Sequence, residues 1–208
     1  MKKNIFVPSV LRHARGLLVG GLLATTATLG LASTAVADEA LWETLAEGGK
    51  VVMVRHTESA EAEPEVSLNL DPDGDCSNEQ ELSKAGMEQA KALGRALEEH
   101  GIAVEAVLSG ELCRTRQTSE RAFGSFETWD ALNLIAAMPE GESEWLLEDV
   151  RERIGSFEGD GNLFLVTHRP NINTLTFQNV ESGSLVVLQP EGFGSFEVLG
   201  VIPLEAYY

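Results

Sequence analysis

Apolar residues along the chain fall into short β-branched runs separated by stretches with helical spacing, an alternation that predicts a single α/β domain without internal repeats. Lys50 to Val54 reads as the first strand. Ser83 can cap a helix whose apolar stripe is Met87, Ala90, Leu93 and Leu97, and Gly101 ends it. Ala103 to Leu108 is the second strand, Arg114 to Phe123 a helix, and Phe126 to Leu132 a weaker third strand. Leu146, Val150 and Ile154 mark another helix, Leu163 to Thr167 a further strand, and Ser184 to Leu188 with Phe196 to Ile202 a closing pair. The expected architecture is a three-layer domain, with a mostly parallel central sheet of about five or six strands and helices on both faces.

Two of the apolar runs end on histidine. The segment Val51 to Ser59 passes from a strand into Arg55 and His56, and the strand that starts near Asn162 ends on His168. Ligands of open α/β sheets bind beyond the carboxyl ends of the strands, so both imidazoles and Arg55 are expected at one centre. The run Val107 to Thr118 follows another strand and carries Arg114 and Arg116. Histidines grouped with guanidinium forks suit the oxygens of a phosphoryl group.

These residues carry a family resemblance. Arg55-His56-Thr57 after a strand, Ser109 followed by Arg114 to Thr118, and Val166-Thr167-His168 occur in the order seen in the histidine phosphatase superfamily, also called phosphoglycerate mutase-like, and the chain resembles it over nearly all residues after 40. The resemblance implies that His56 accepts the phosphoryl group, Arg55 and Arg114 bind it, and His168 is the second pocket histidine. It implies metal-independent hydrolysis of a phosphomonoester through a phosphohistidine, with no cofactor. Arg116, two residues past the matched arginine, is expected to be a surface or helix residue.

Other chemistries fit less well. Apart from His56 and His168, the histidines are His13 near the amino terminus and His100, which precedes Gly101 at a helix end, so no HExxH or CxxC spacing supports a metal site. Asp71, Asp73 and Asp75 have calcium-loop spacing, but Cys76 takes the glycine position and Leu82 the final carboxylate. Gly48-Gly49-Lys50 lacks P-loop spacing and serves as a turn.

An alkoxide leaving group needs a proton. Many relatives place an acid after the third strand in a Leu-x-Glu pattern, whereas this chain has Leu132-Asn133-Leu134. Glu140 or Glu142 is the preferred substitute, with Glu58, Glu181 and Asp130 as further candidates. Without an acid, a phosphohistidine-protein phosphatase or a non-catalytic phosphate-binding module would be the alternatives.

Lys2, Lys3, Arg12 and Arg15 precede an apolar stretch from Leu17 to Leu31 and an Ala35-Val36-Ala37 cleavage box, so residues 1–37 read as a signal peptide. Residues 38–208 would then form the domain, periplasmic or secreted and with no stable membrane insertion after cleavage. The leader holds four of the fifteen Lys and Arg and none of the thirty-three Asp and Glu, which leaves a formal charge of -22 on the remainder. That charge excludes nucleic acid and anionic membrane as partners, and any basic pocket must be a local island. In an exported chain Cys76 and Cys113 are expected as a disulfide, free buried thiols being the alternative. Such a bridge would tie the acidic segment 57–81, which holds Pro64 and Pro72 and reads as a lid-like loop, to the arginine loop.

The leader together with Cys76-Ser77-x-x-Gln80-x-Leu82-Ser83 and Leu112-Cys113-Arg114-Thr115 resembles exported bacterial lipopolysaccharide core heptose-phosphate phosphatases. The partner this implies is a small phosphorylated substrate, with a cell-envelope sugar phosphate as candidate.

Overall fold

The computed structural model describes residues 38–60, 70, 76–139 and 141–208. The leader, most of the lid-like segment, the three aspartates of the calcium-like spacing and Glu140 lie outside the described residues. Six strands form one sheet: β1 (Val51–Arg55), β2 (Val104–Ser109), β3 (Glu127–Thr128), β4 (Asn162–Thr167), β5 (Leu185–Gly192) and β6 (Ser195–Ile202). Their order is β3-β2-β4-β1-β5-β6. The first four run parallel, while β5 is antiparallel to β1 and β6 to β5.

The apolar runs of β1 and β4 follow from their position, since both are interior strands with neighbours on either side and helices over either face. Successive side chains alternate between the two cores. Val52, Val54, Phe164 and Val166 face the helical residues 38–46 (α1), α2 (Lys84–Glu99) and α3 (Cys113–Phe123). Val51, Met53, Leu163 and Leu165 face α4 (Glu142–Gly155) and α5 (Arg169–Thr176). The result is the three-layer domain that the pattern predicts.

Helix α2 starts as expected, with the Ser83 hydroxyl accepting the Gly86 N–H at 2.9 Å, and it ends at His100 before Gly101 at φ 67°. Its buried face sets Leu93 and Leu97 among the small residues Gly86, Ala90, Ala92 and Ala96, and α3 packs close to it. A Cβ on Gly94 would stand 2.6 Å from the Ala122 carbonyl oxygen, so the two helices could not keep this separation with any larger residue there. Met87, expected in the stripe, is only half buried.

The third strand departs from expectation. It spans Glu127 and Thr128 alone, paired with Leu108 and Ser109 of β2, and the chain then turns through 3-10 residues Asp130–Leu132. As an edge strand it gains hydrogen bonds on one side only, whereas Ala131 and Leu132 gain full burial beneath α4 by leaving the ladder.

Phe164 is wholly buried at the middle of β4, with its ring 4.9 Å from that of Phe123. Phe164→Ala is expected to cost about 3–5 kcal/mol through lost burial and the cavity left behind. Chemical denaturation followed by circular dichroism would read this as a lower midpoint at unchanged slope.

Candidate active site

The parallel register of β1 and β4 pairs Arg55 with Thr167, so the next residues, His56 and His168, leave the sheet side by side. The His56 N–H donates to the Thr167 carbonyl at 3.0 Å, extending that ladder by one bond. The two rings sit 5.2 Å apart between centroids, edge to face. His56 Nδ1 lies 2.8 Å from the Thr57 carbonyl oxygen, which can only accept, so Nδ1 holds the proton and Nε2 keeps its lone pair. Thr57 is fixed in turn by α3, because its N–H donates to Thr118 Oγ1 at 3.1 Å. A Cβ on Gly86 would stand 2.0 Å from the Glu58 carbonyl oxygen, so glycine there lets α2 press against the segment that follows the histidine.

Burial, then the Arg114 and Arg55 charges, lowers the His56 pKa to about 3, against the opposing Thr57 hydrogen bond. His168 is driven well below its ordinary value by burial and by the same neighbours. Both imidazoles are therefore neutral at physiological pH. Arg55 donates through Nη1 to the Val180 carbonyl at 2.7 Å, with Glu181 Oε2 at 3.8 Å. Burial lowers the pKa of both Arg55 and Arg114, Arg169 adding to the effect at Arg55 while Glu79 opposes it at Arg114. Arg55 Nε, Arg114 Nε and both ring nitrogens of His168 are buried without a hydrogen-bond partner. Buried polar atoms left unpaired around a basic nitrogen make a site prepared for an anion with several acceptor oxygens.

Arg114 stands in the first turn of α3, whose first residue is linked by the Cys76–Cys113 disulfide. Leu112 offers the helix no side-chain cap. Its place is taken from a distance by Glu79, whose Oε2 accepts the Cys113 N–H at 2.6 Å and whose side chain is 1% exposed. Arg116 is a residue of α3, with its side chain 25% exposed. Its Nη2 lies 2.9 Å from Cys113 Sγ and 3.4 Å from Cys76 Sγ, with Glu79 Oε1 at 4.0 Å. Gln117 completes the strap by accepting the Leu82 N–H at 2.8 Å and donating to Glu81 at 2.9 Å. Glu79 and Arg169 were missed in the sequence, although Arg169 directly follows the matched histidine and Glu79 sits among the matched residues around Cys76.

The acid expected after the third strand is absent where relatives hold it, since Leu134 is buried. Glu142 is the exposed first residue of α4. Glu181 stands on the rim with its side chain 88% exposed, and Glu58 is exposed and accepts the Ser83 hydroxyl at 2.6 Å. Asn133, directly before Leu134, is buried and bonded to Glu111. No group of three or more His, Cys, Asp and Glu among the described residues could hold a metal ion, and no described helix is long and apolar enough to cross a membrane.

Fold and site together define an α/β protein with a desolvated, cationic pocket around a neutral histidine. Residues 51–134, under half of the chain, match the family model of the histidine phosphatase superfamily (branch 1). The chain is similar to the protein histidine phosphatase SixA complexed with tungstate, at TM-score 0.53 and 15% identity, over 74% of this chain and 97% of that one. It is also similar to a Tyr-to-His variant of a Thermus thermophilus protein, TTHB049, at TM-score 0.50 and 18% identity, over 74% of this chain and 99% of that one. At such identities the likeness concerns fold alone. No curated protein matches the sequence.

The two histidines are neutral when folded and take up protons when unfolded, so stability falls as pH drops from the unfolded value of 6.5 toward about 3. Unfolding midpoints measured across that window should decline with acid, and the slope should shrink in His168→Gln. Reducing the disulfide, which closes a loop of 37 residues, should cost about 3–4 kcal/mol. Thermal unfolding with and without reductant checks this.

Proposed function

We propose that the chain is an exported phosphatase that hydrolyses a phosphomonoester through a phosphohistidine on His56. The single observation that carries this reading is the set of unpartnered buried atoms on Arg55, Arg114 and His168 around the lone pair of His56 Nε2. The Nε2–P bond forms as the ester P–O bond breaks, and charge spreading over the equatorial oxygens meets the two guanidinium groups and His168. Water then attacks phosphorus in line with the P–N bond, releasing inorganic phosphate and the neutral imidazole. The depressed pKa serves this chemistry because a protonated His56 could not attack, and the same desolvation strengthens each interaction with the transferring group.

The substrate class proposed is a cell-envelope sugar phosphate, on the strength of the leader and the residues around Cys76 and Cys113. Export after cleavage behind Ala37 belongs to the same proposal. A second reading, hydrolysis of protein phosphohistidine, is favoured by the buried Leu134, because a phosphoramidate leaves without a strong acid at that place.

Purified protein should turn over phosphate esters without added metal, and His56→Ala should bring turnover to background. Quenched wild-type enzyme should carry acid-labile phosphate on His56. Phosphate on a Ser or Asp would overturn the nucleophile, and tight binding of phosphorylated compounds without turnover would make the chain a binding module. Turnover confined to phosphohistidine peptides would select the second reading.

A further inference from the structure

A phosphomonoester with an alkyl leaving group needs a proton donor, and among the described residues neither Glu142, the Leu134 position nor Glu79 is placed to supply one. Glu142 is exposed on the first turn of α4, Leu134 is apolar and buried, and Glu79 spends one carboxylate oxygen on the start of α3. Among the described residues, a further carboxylate stands at the carboxyl edge of the sheet. We propose that Glu111, held by the buried Asn133, protonates the departing oxygen; this deepens the phosphatase reading and rests on it.

The placement follows from register. Ser109 of β2 pairs with Val166 of β4, and the Gly110 N–H donates to the Val166 carbonyl at 3.0 Å. Glu111 is two residues beyond its member of that pair, and His168 is two beyond the other. Both emerge at the same edge, and Arg114 follows Glu111 by three residues. The loop therefore carries the acid and a phosphate-binding arginine within one turn of chain.

The side chain is also held. Asn133 is 1% exposed; its Oδ1 accepts the Glu111 N–H at 2.7 Å and its Nδ2 donates to Glu111 Oε2 at 2.7 Å. Two bonds from one amide fix both the backbone and the carboxylate of the same residue. Asn133 is itself anchored, since its carbonyl accepts Asn171 Nδ2 at 2.7 Å, and Asn171 Oδ1 accepts the Ile135 N–H at 3.3 Å. Asn171, buried in the first turn of α5, stands three residues after His168. Gly110 permits the approach, because a Cβ there would lie 2.8 Å from the Leu132 carbonyl oxygen. Amides buried this deeply are costly unless fully bonded, so a chain of them ending on one half-buried carboxylate is a positioning device.

Asn133 engages Oε2 and leaves Oε1 to carry the proton. In the first step that proton passes to the departing alkoxide as the P–O bond breaks, giving the free alcohol and the Glu111 carboxylate. In the second step the carboxylate takes a proton from the attacking water as the P–N bond breaks, which restores the acid.

The experiment compares kcat/KM for an alkyl phosphate and a nitrophenyl phosphate in wild type, Glu111→Gln and Glu111→Asp. Glu111→Gln should lose about 100-fold or more on the alkyl ester and stay within about 3-fold on the aryl ester, whose leaving group departs without protonation. Glu111→Asp, which keeps a carboxyl but withdraws it by one methylene, should fall between the two on the alkyl ester alone. Asn133→Ala should shift the alkyl-to-aryl ratio the same way by about 10-fold, which a merely structural role would not do, since it would lower both rates together. Equal losses on both esters, or none on either, would overturn the proposal while leaving the phosphatase reading intact. Absence of aryl turnover in wild type would overturn that reading itself, and this proposal with it.

Discussion

The parallel pairing of β1 with β4 is the constraint on which the site depends. Arg55 opposite Thr167 puts each histidine one residue past the same rung, and a slip of one residue would turn every side chain of the strand to the other face. Register here is specified by burial. Val52, Val54, Phe164 and Val166 fill one core and Val51, Met53, Leu163 and Leu165 the other, so no shifted pairing leaves either core intact. Arg55 and the two imidazoles can be desolvated together because this double core holds their strands.

The electrostatics of the whole chain and of the pocket have opposite signs. The chain carries a formal charge of -18, yet the carboxylates whose charge acts on the two arginines are Glu181 at Arg55 and Glu79 at Arg114. Glu79 points its charge at the start of α3, and Glu181 meets Arg55 from the solvent side at 3.8 Å. Exposed charge such as that of Glu181 is screened within about 10 Å at moderate ionic strength, while the buried guanidinium groups act at contact range. The acidic surface therefore governs approach and solubility, and the pocket governs binding.

The interior strands were legible in the sequence because a strand covered on both faces is apolar at every position, and a polar residue that ends such a run has little choice but to stand at its tip. His56, His168 and Arg55 were found in this way, and Arg114 through the motif that follows the second strand. The third strand was not, because an edge strand of two residues leaves almost no pattern, and the apolar residues after it belong to a 3-10 turn. Glu79, Asn133 and Arg116 were hidden for another reason. Each is polar and buried by a partner far away or across a disulfide, and hydrophobic periodicity carries no information about such pairings. The spacing of Cys113 and Arg116, one helical turn apart, was the available clue to the last of these.

Helix α3 shows why the strap and the pocket form one unit. Its N-terminal residue before the first turn is Leu112, which cannot cap, so the N–H of Cys113 is satisfied only when Glu79 arrives from the segment that follows Cys76. That segment is in turn anchored by the disulfide, by Gln117 and by the bridge between Ser59 and Leu82. Ser59 lies three residues after His56, so the strap joins the chain leaving His56 to the helix whose second residue is Arg114. A helix with its own Ser or Asp cap would start independently of these contacts. By leaving the cap to a distant carboxylate, the sequence couples the placement of Arg114 to the segment around Glu79, and the two sides of the pocket become ordered together.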